Sequence, residues 1–548
     1  MKSTRENGSP DGHRPAPGLR APQQISTPPV APAVTVRSKV APSQSAPRRS
    51  EWDYRVVGAG SAGCVNANRL TARADLSVVL LEAGGPEAKP EIHDPAAFFA
   101  LQGSELDWPD ATEPEPGLNG RTAAWPRGKV FGGTSPIHYL LYVRGHQLDY
   151  DRWKALGNAG WSYQEVLPSF KKSENFETGA SKDHGAGGPL QVGEGTAHAG
   201  CDLVVAAAKE LGLAGDWDFN GAREEGGAGL YQVTITDGRR HSAAAAFLTP
   251  ILTRKNLIAI PWAQATRLLG EGHRIVGVDY ADRAGGCHQV RARREVIVSA
   301  GAVDLPRRLM LSGIGPAAHL QSVAVPVRAD LPGLGQNLRD HRFVPVQGPA
   351  CASAPLWRGG EMAGLFLRRR APATASPDLQ FHLIRSPLPN EESFWRILPT
   401  LVAPQSSGQV RLRSGDPWSP PMIQAGYLSA QHDGDVLVDG ILTARELAGT
   451  RALRAHGGDE VAPGAGVRRR AQLAGFARNC STTLWHPAGT CRMGSDARAF
   501  VDAALRVRGV SGLRVAAASV RPEIVNANTN ATCLMIGEKA AEVILPES

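Results

Sequence analysis

The first ordered-looking stretch of the chain alternates strand-like and helix-like apolar patterns. Residues 53–57 are a short strand candidate followed at once by glycines, and residues 61–73 then read as a helix. Residues 77–81 are a continuous apolar run of strand length that ends in Glu82-Ala83-Gly84-Gly85. Strand, turn, helix and strand in that order predict one βαβ unit of a parallel sheet. Arg55 interrupts the first strand, so either its head reaches the surface along its stem or the strand is weakened.

Further along, residues 91–200 mix short helical pieces with Gly- and Pro-rich loops, such as the loop at 184–189. The pattern predicts a helix at 201–211, strands within 256–280, and a buried strand at 295–299 ending near Gly301. It adds a strand at 410–413, a helix at 436–448, a strand at 512–516 and a final helix at 531–544. Strands feeding the first sheet return late, which predicts two domains interleaved along the chain. No internal repeat is visible.

Composition changes this picture little. The 548 residues exceed one simple core, and 42% are apolar. No run reaches the roughly 18–20 apolar residues of a membrane span, and the N-terminus lacks the apolar block of a secretory signal. The net charge of +8 is local, because residues 1–50 hold eight Lys/Arg against two Asp/Glu. That Pro-, Ser- and Arg-rich tail is expected to be a disordered, solvated extension without a role, with membrane-surface or partner docking as the alternative. The remaining body is not basic enough to predict nucleic-acid binding. Seven scattered cysteines without a CxxC pair predict neither a zinc site nor a disulfide framework, no metal is expected, and a reducing cytoplasm is the simplest home.

Gly58-Ala59-Gly60-Ser61-Ala62-Gly63 fits GxGxxG. The first glycine allows a tight turn, the second lets backbone approach a pyrophosphate, and the third lets helix pack on strand. The helix that opens at Ser61 offers free N–H groups to phosphate. Glu82, at the end of the second strand, is placed to accept hydrogen bonds from both hydroxyls of a ribose. A dinucleotide cofactor is therefore expected across this turn.

The segment WDYRVVGAGSAGCVNANRLTARADLSVVLLEAGG, from Trp52, resembles the opening of the glucose–methanol–choline (GMC) oxidoreductases. WPRGKVFGGTSPIHYLLYVRG from Trp125 and GAVDLPRRLMLSGIGP from Gly301 are similar to that family's two internal signatures. LPGLGQNLRDH, LWHPAGTCRMG and LRVAAASVRPEIVNANTNATCLMIGEKAA follow in the family's order. The resemblance implies an α/β FAD-binding Rossmann-like domain on a mostly parallel sheet, interleaved with an α+β substrate domain on a mostly antiparallel sheet. It divides the chain into the tail, 1–50; an N-terminal region with the FAD-binding unit, 51–343; a shortened substrate-domain segment, 344–402; and a C-terminal region, 403–548.

Function follows from the same resemblance. It implies an FAD-dependent alcohol or choline-type dehydrogenase that transfers hydride from a CH–OH group to flavin N5. Electrons pass on to a quinone or another carrier, with dioxygen, and so an oxidase, as the alternative. A poorly active or non-redox flavin-binding homologue, including a lyase, is the second functional class. His486 matches the family's base and Asn528 its second polar group, suited respectively to proton abstraction near neutral pH and to stabilising alkoxide charge. Beside Gly58, Gly60, Ser61, Ala62, Gly63 and Glu82, the resemblance assigns cofactor contacts to Arg127, Gly132, Gly133, His138, Ala265, Gly301, Trp485, Ala517 and Thr529. FAD is expected to be non-covalent, because Ile137 stands where some members carry the linking histidine.

Several positions depart from the family. Pro136 replaces a small residue, His138 an Asn, Tyr139 a Gly, Ala517 an Asp and Asp304 an Asn, while Leu305 and Arg308 break the second internal signature. A Tyr139 ring is expected either to obstruct the site or to point away from it. The stretch between Pro345 and Glu361 is shorter than the family's.

Overall fold

The computed structural model describes residues 52–195, 199–215, 217–221, 226–351, 363–386 and 394–545. The tail and most of the shortened 345–361 stretch lie outside the described residues.

Strand β1 (Trp52–Val57) is buried along its whole length and lies between β2 (Val78–Leu81) and the late strand β6 (Cys287–Val298). The short strand β3 (Leu257–Ile260) pairs with the far side of β2, and β7 (Leu513–Val515) pairs with β6. All four of these pairings are parallel. Parallel strands carry layers on both faces, which is why β2 reads as an unbroken apolar run and even the polar residues of β1 are buried. Two antiparallel strands, β4 (Gln264–Glu271) and β5 (Arg274–Ala281), complete a seven-stranded mixed sheet.

Strand β6 serves both parts. Cys287–Arg291 pair with β5, whereas Glu295–Val298 pair with β1. The sequence pattern predicts only 295–299, because the earlier half, CHQVRARR, is polar and largely exposed; its pairing with β5 makes it a strand. Arg55 stays inside, 1% exposed, and Nη1 donates to the carbonyl of Tyr54. The strand is not interrupted there, since Arg55 remains in register with Val79 and Val296. Burial pushes its guanidinium down to about 10.

Helix α1 (Ser61–Leu70) and helix α2 (Asn530–Ile544) pack closely, because Gly537 has no side chain to hold them apart. A Cβ there would lie 2.8 Å from Cβ of Val65 and 2.9 Å from the Ala62 oxygen. The end of the chain thus covers the first βαβ unit.

A second sheet is antiparallel throughout. Its strands run in the order 482–483, 342–343, 394–401, 379–386, 363–367 and 227–230, with 346–349 also pairing to 394–401. The 18-residue helix Gln431–Ala448 packs against it, with Gly440 facing Pro399. This sheet draws strands from four separate stretches of sequence, so the two halves of the fold are threaded through each other. No described helix is long and apolar enough to cross a membrane.

Candidate active site

The glycine turn sits where β1 hands over to α1. Gly58 has φ +95°, a conformation that disfavours a side chain. Gly63 is crowded, since a Cβ on it would lie 1.9 Å from the carbonyl oxygen of Gly58. Gly60 has an ordinary extended backbone and open space beside it, the nearest atom being 3.8 Å from a built Cβ. The three glycines therefore do different work. Gly58 turns the chain, Gly63 seats the helix, and Gly60 keeps an outer face bare.

A second glycine pair lies over this turn. The Gly132 N–H donates to the Ala59 carbonyl at 2.7 Å, and a Cβ on Gly133 would come 2.7 Å from Cα of Gly60. Gly301 leaves the end of β6 with φ +76°. Gly60 precedes α1 and Thr529 precedes α2, and each helix starts without a side-chain cap or an acidic residue in its first turn. Ser61 Oγ donates to Asn530 Oδ1 at 2.6 Å, tying the two helix starts together. Two uncapped N-termini converging on a bare glycine turn present N–H donors and positive dipole ends to one anionic group.

Other predicted cofactor residues line the approaches. Glu82 ends β2; its Oε2 accepts from the Ala59 N–H and its Oε1 from the Gly84 N–H, both at 2.8 Å. Each oxygen is thus partly engaged by backbone and keeps one lone pair for a further donor. Burial pushes the carboxyl up to about 7. Ala265 is buried on β4, just past Ala263, whose N–H donates to the Glu82 carbonyl at 2.7 Å. Arg127 donates through Nη2 to the Trp485 carbonyl at 2.6 Å, and Trp485 has φ +60°. Ala517 is buried two residues past the end of β7. The Thr529 carbonyl accepts from Arg521 Nη2 at 2.8 Å.

His138 takes the place of the expected asparagine. Its Nδ1 accepts from the Leu140 N–H at 3.0 Å and lies 3.2 Å from Arg240 Nη1, so the ring proton belongs on Nε2. That Nε2 is buried and has no partner among the described residues. The bare glycine cradle, the paired helix starts and this orphaned donor fit a diphosphate-bearing flavin cofactor.

The second half of the site hangs on the antiparallel sheet. Asp340, buried near the end of the 331–341 segment, accepts from the His486 N–H at 2.7 Å and from Thr483 Oγ1 at 2.5 Å. Tyr427 OH donates to the same carboxylate. These bonds fix the turn that carries His486. His486 Nδ1 lies 3.0 Å from Nδ1 of His341, with the two rings nearly perpendicular at 81°. Asn528 is held through its oxygen, which accepts from Gln380 Nε2 at 3.1 Å and so leaves the amide hydrogens free. Gln380 and His382 point the same way from one strand, two residues apart.

Charge is concentrated below these groups. Arg521 is fully buried; Nη2 also donates to Cys533 Sγ, and Nε and Nη1 have no partner among the described residues. No carboxylate pairs with it among the described residues. Burial, followed by the neighbouring His341, Arg127, His382 and Arg521, holds His486 well below its usual range. Burial pushes His341 down to about 3 and His382 to about 4. All three imidazoles are neutral at pH 7. A base of this kind stays active as pH falls past 6.5 and fails only below its own depressed pKa. Arg521→Met removes one repelling charge, raises the His486 pKa, and should move the acidic limb of the rate profile upward by about 0.5–1 pH unit. The pH dependence of kcat/KM in parent and variant checks it.

Sequence reasoning places His486 and Asn528 but misses what orients them. The sequence gives no role to His341 or His382, and Gln380, Asp340 and Arg521 carry no motif of their own. The one available signal is the quoted segment ending in Asp340-His341.

The departures resolve individually. Tyr139 packs edge-on against Phe98, centroids 4.9 Å apart, and joins the apolar cluster of Leu141, Val233 and Phe366. The ring is an anchor in that cluster, so Tyr139→Gly should not accelerate turnover. It should instead destabilise the fold by about 2 kcal/mol, read as a lower Tm. Pro136 lies over Gly132, where a Cβ would come 2.8 Å from Pro136 Cγ. Asp304 pairs with both Arg307 and Arg308, at 3.0 and 2.9 Å, so the changes at 304 and 308 compensate each other.

Comparison with known proteins agrees with this geometry. Two models described as GMC oxidoreductase match residues 52–343 and 404–537. The mitochondrial choline dehydrogenase of Homo sapiens is 40% identical over 537 residues, covering 90% of each chain. The oxygen-dependent choline dehydrogenase of Sinorhizobium medicae is 38% identical, over 90% of this chain and 95% of that one. Among solved structures, pyridoxine 4-oxidase from Mesorbium loti superposes with a TM-score of 0.84 at 31% identity, covering 90% of this chain and 98% of its own.

Proposed function

We propose a choline-type alcohol as substrate for this chain, which belongs to the GMC oxidoreductase family and is an FAD-dependent oxidoreductase acting on CH–OH groups. In this reading Nε2 of His486 takes the hydroxyl proton, and the amide hydrogens of Asn528 hold the substrate oxygen as negative charge develops on it. Bound FAD supplies the two-electron acceptor for the hydride leaving the carbinol carbon. The carrying observation is that His486 is held through its backbone and Nδ1, with Nε2 unengaged, while the same antiparallel sheet fixes Asn528 through Gln380.

The glycine turn, Glu82 and the two helix starts bind the dinucleotide part of FAD, and Arg127, Gly132, Gly133, His138, Ala265, Gly301, Trp485, Ala517 and Thr529 complete its surroundings. Attachment is non-covalent, supported by the apolar side chain at Ile137 and by the bonds that tie down His138. Electrons leave to a quinone or another carrier, with dioxygen as the competing acceptor; relatives named both as dehydrogenases and as oxidases support either route. The comparisons give no support to a non-redox role. Seven scattered cysteines without a CxxC pair support a reducing compartment such as the cytoplasm.

The test is anaerobic. Choline, aliphatic and aromatic alcohols are added in turn to the purified yellow protein, and choline should bleach the flavin fastest. Failure of choline to bleach it, with another alcohol succeeding, would move the substrate assignment. Reoxidation by a soluble quinone against dioxygen then ranks the acceptors.

A further inference from the structure

The contact between His341 and His486 joins two Nδ1 atoms at 3.0 Å. Both rings are neutral, so one Nδ1 must donate and the other accept. If His341 donated, His486 would carry its own proton on Nε2 and could not act as a base there. If His341 accepts, His486 keeps its proton on Nδ1 and presents a lone pair at Nε2.

The role of His486 decides between these. The His341 ring is completely buried, and its Nε2 has no hydrogen-bond partner among the described residues. A base acting through Nε2 of His486 requires the His486 proton on Nδ1, 3.0 Å from Nδ1 of His341. The His341 Nδ1 then accepts, and its own proton belongs on Nε2.

We propose that His341 is a positioning residue that sets the tautomer of His486, accepting its Nδ1–H so that the Nε2 lone pair is presented to the alcohol. The proposal rests on His486 being the base. In the step, the substrate O–H bond breaks, its proton moves to His486 Nε2, and the imidazolium so formed keeps its Nδ1–H bond to His341. That bond becomes charge-assisted as the proton arrives, so it strengthens along the reaction coordinate. The cost that burial and Arg521 impose on a charged His486 is thereby partly offset where the reaction needs it.

Neutron diffraction from crystals of the oxidised holoenzyme locates the protons directly. The expected map has deuterium on Nδ1 of His486 and on Nε2 of His341. Deuterium on Nε2 of His486 overturns the proposal. Anaerobic flavin reduction gives a second readout. His341→Phe, which keeps the ring shape without an acceptor, should reduce roughly 10- to 100-fold more slowly, with substrate Kd nearly unchanged. His341→Asn, whose Oδ1 replaces the accepting nitrogen, should recover most of that loss. Equal rates for parent and His341→Phe, or no recovery in His341→Asn, overturn it. If His486→Ala also reduces at the parental rate, the base assignment itself fails; if only His341→Phe is parental, the tautomer assignment alone is lost.

Discussion

His486→Ala is expected to lower the rate of flavin bleaching by an alcohol about 10²- to 10⁴-fold while the protein stays yellow. The loss is confined to chemistry because of how His486 is held. Its link to Asp340 uses the backbone N–H, which alanine retains, and Thr483 and Tyr427 bind the same carboxylate independently. The turn should therefore survive, together with the Arg127 bond to the Trp485 carbonyl. What disappears is one neutral nitrogen base whose depressed pKa keeps it unprotonated at neutral pH. Anaerobic stopped-flow absorbance, with the flavin-to-protein ratio measured alongside, separates the two effects. A rate within tenfold of the parent would remove His486 from the base role.

Gly63→Ala is expected to yield a colourless and destabilised protein. The new Cβ would meet the Gly58 oxygen at 1.9 Å, and that residue cannot easily move. Its N–H is bonded to the Leu81 carbonyl at 2.8 Å, and a Cβ on Gly58 itself would sit 2.9 Å from the Ser299 oxygen. Relief requires shifting α1 off the sheet, at a cost of about 3 kcal/mol or more. Gly60→Ala provides the contrast. Its backbone is ordinary and its surroundings open, so the fold should keep the parental Tm while FAD binds more weakly, because the methyl occupies the face offered to the diphosphate. Tm and bound flavin measured on both variants distinguish a glycine required by the fold from one required by the ligand. A yellow Gly63→Ala protein of parental Tm would contradict this division.

These contrasts bear on what sequence can report. The βαβ unit, the glycine turn and Glu82 were legible because their parts lie within some thirty residues, where apolar periodicity and turn chemistry act locally. The family resemblance extended that reading to His486 and Asn528 by matching segments one at a time. Neither reading could show the early half of β6, whose exposed polar residues become a strand only through β5.

Chain segments brought together from far apart decided the rest. Ser61 meets Asn530 across 469 positions, Gln380 meets Asn528 across 148, and His341 meets His486 across 145. No local pattern encodes such pairings, since each depends on how the interleaved segments fold against one another. The sequence by itself determined the residue types able to bind a dinucleotide and move a proton. The tertiary structure alone determined which lone pairs and N–H groups those residues have left to offer, because burial and partner geometry set that for every polar atom.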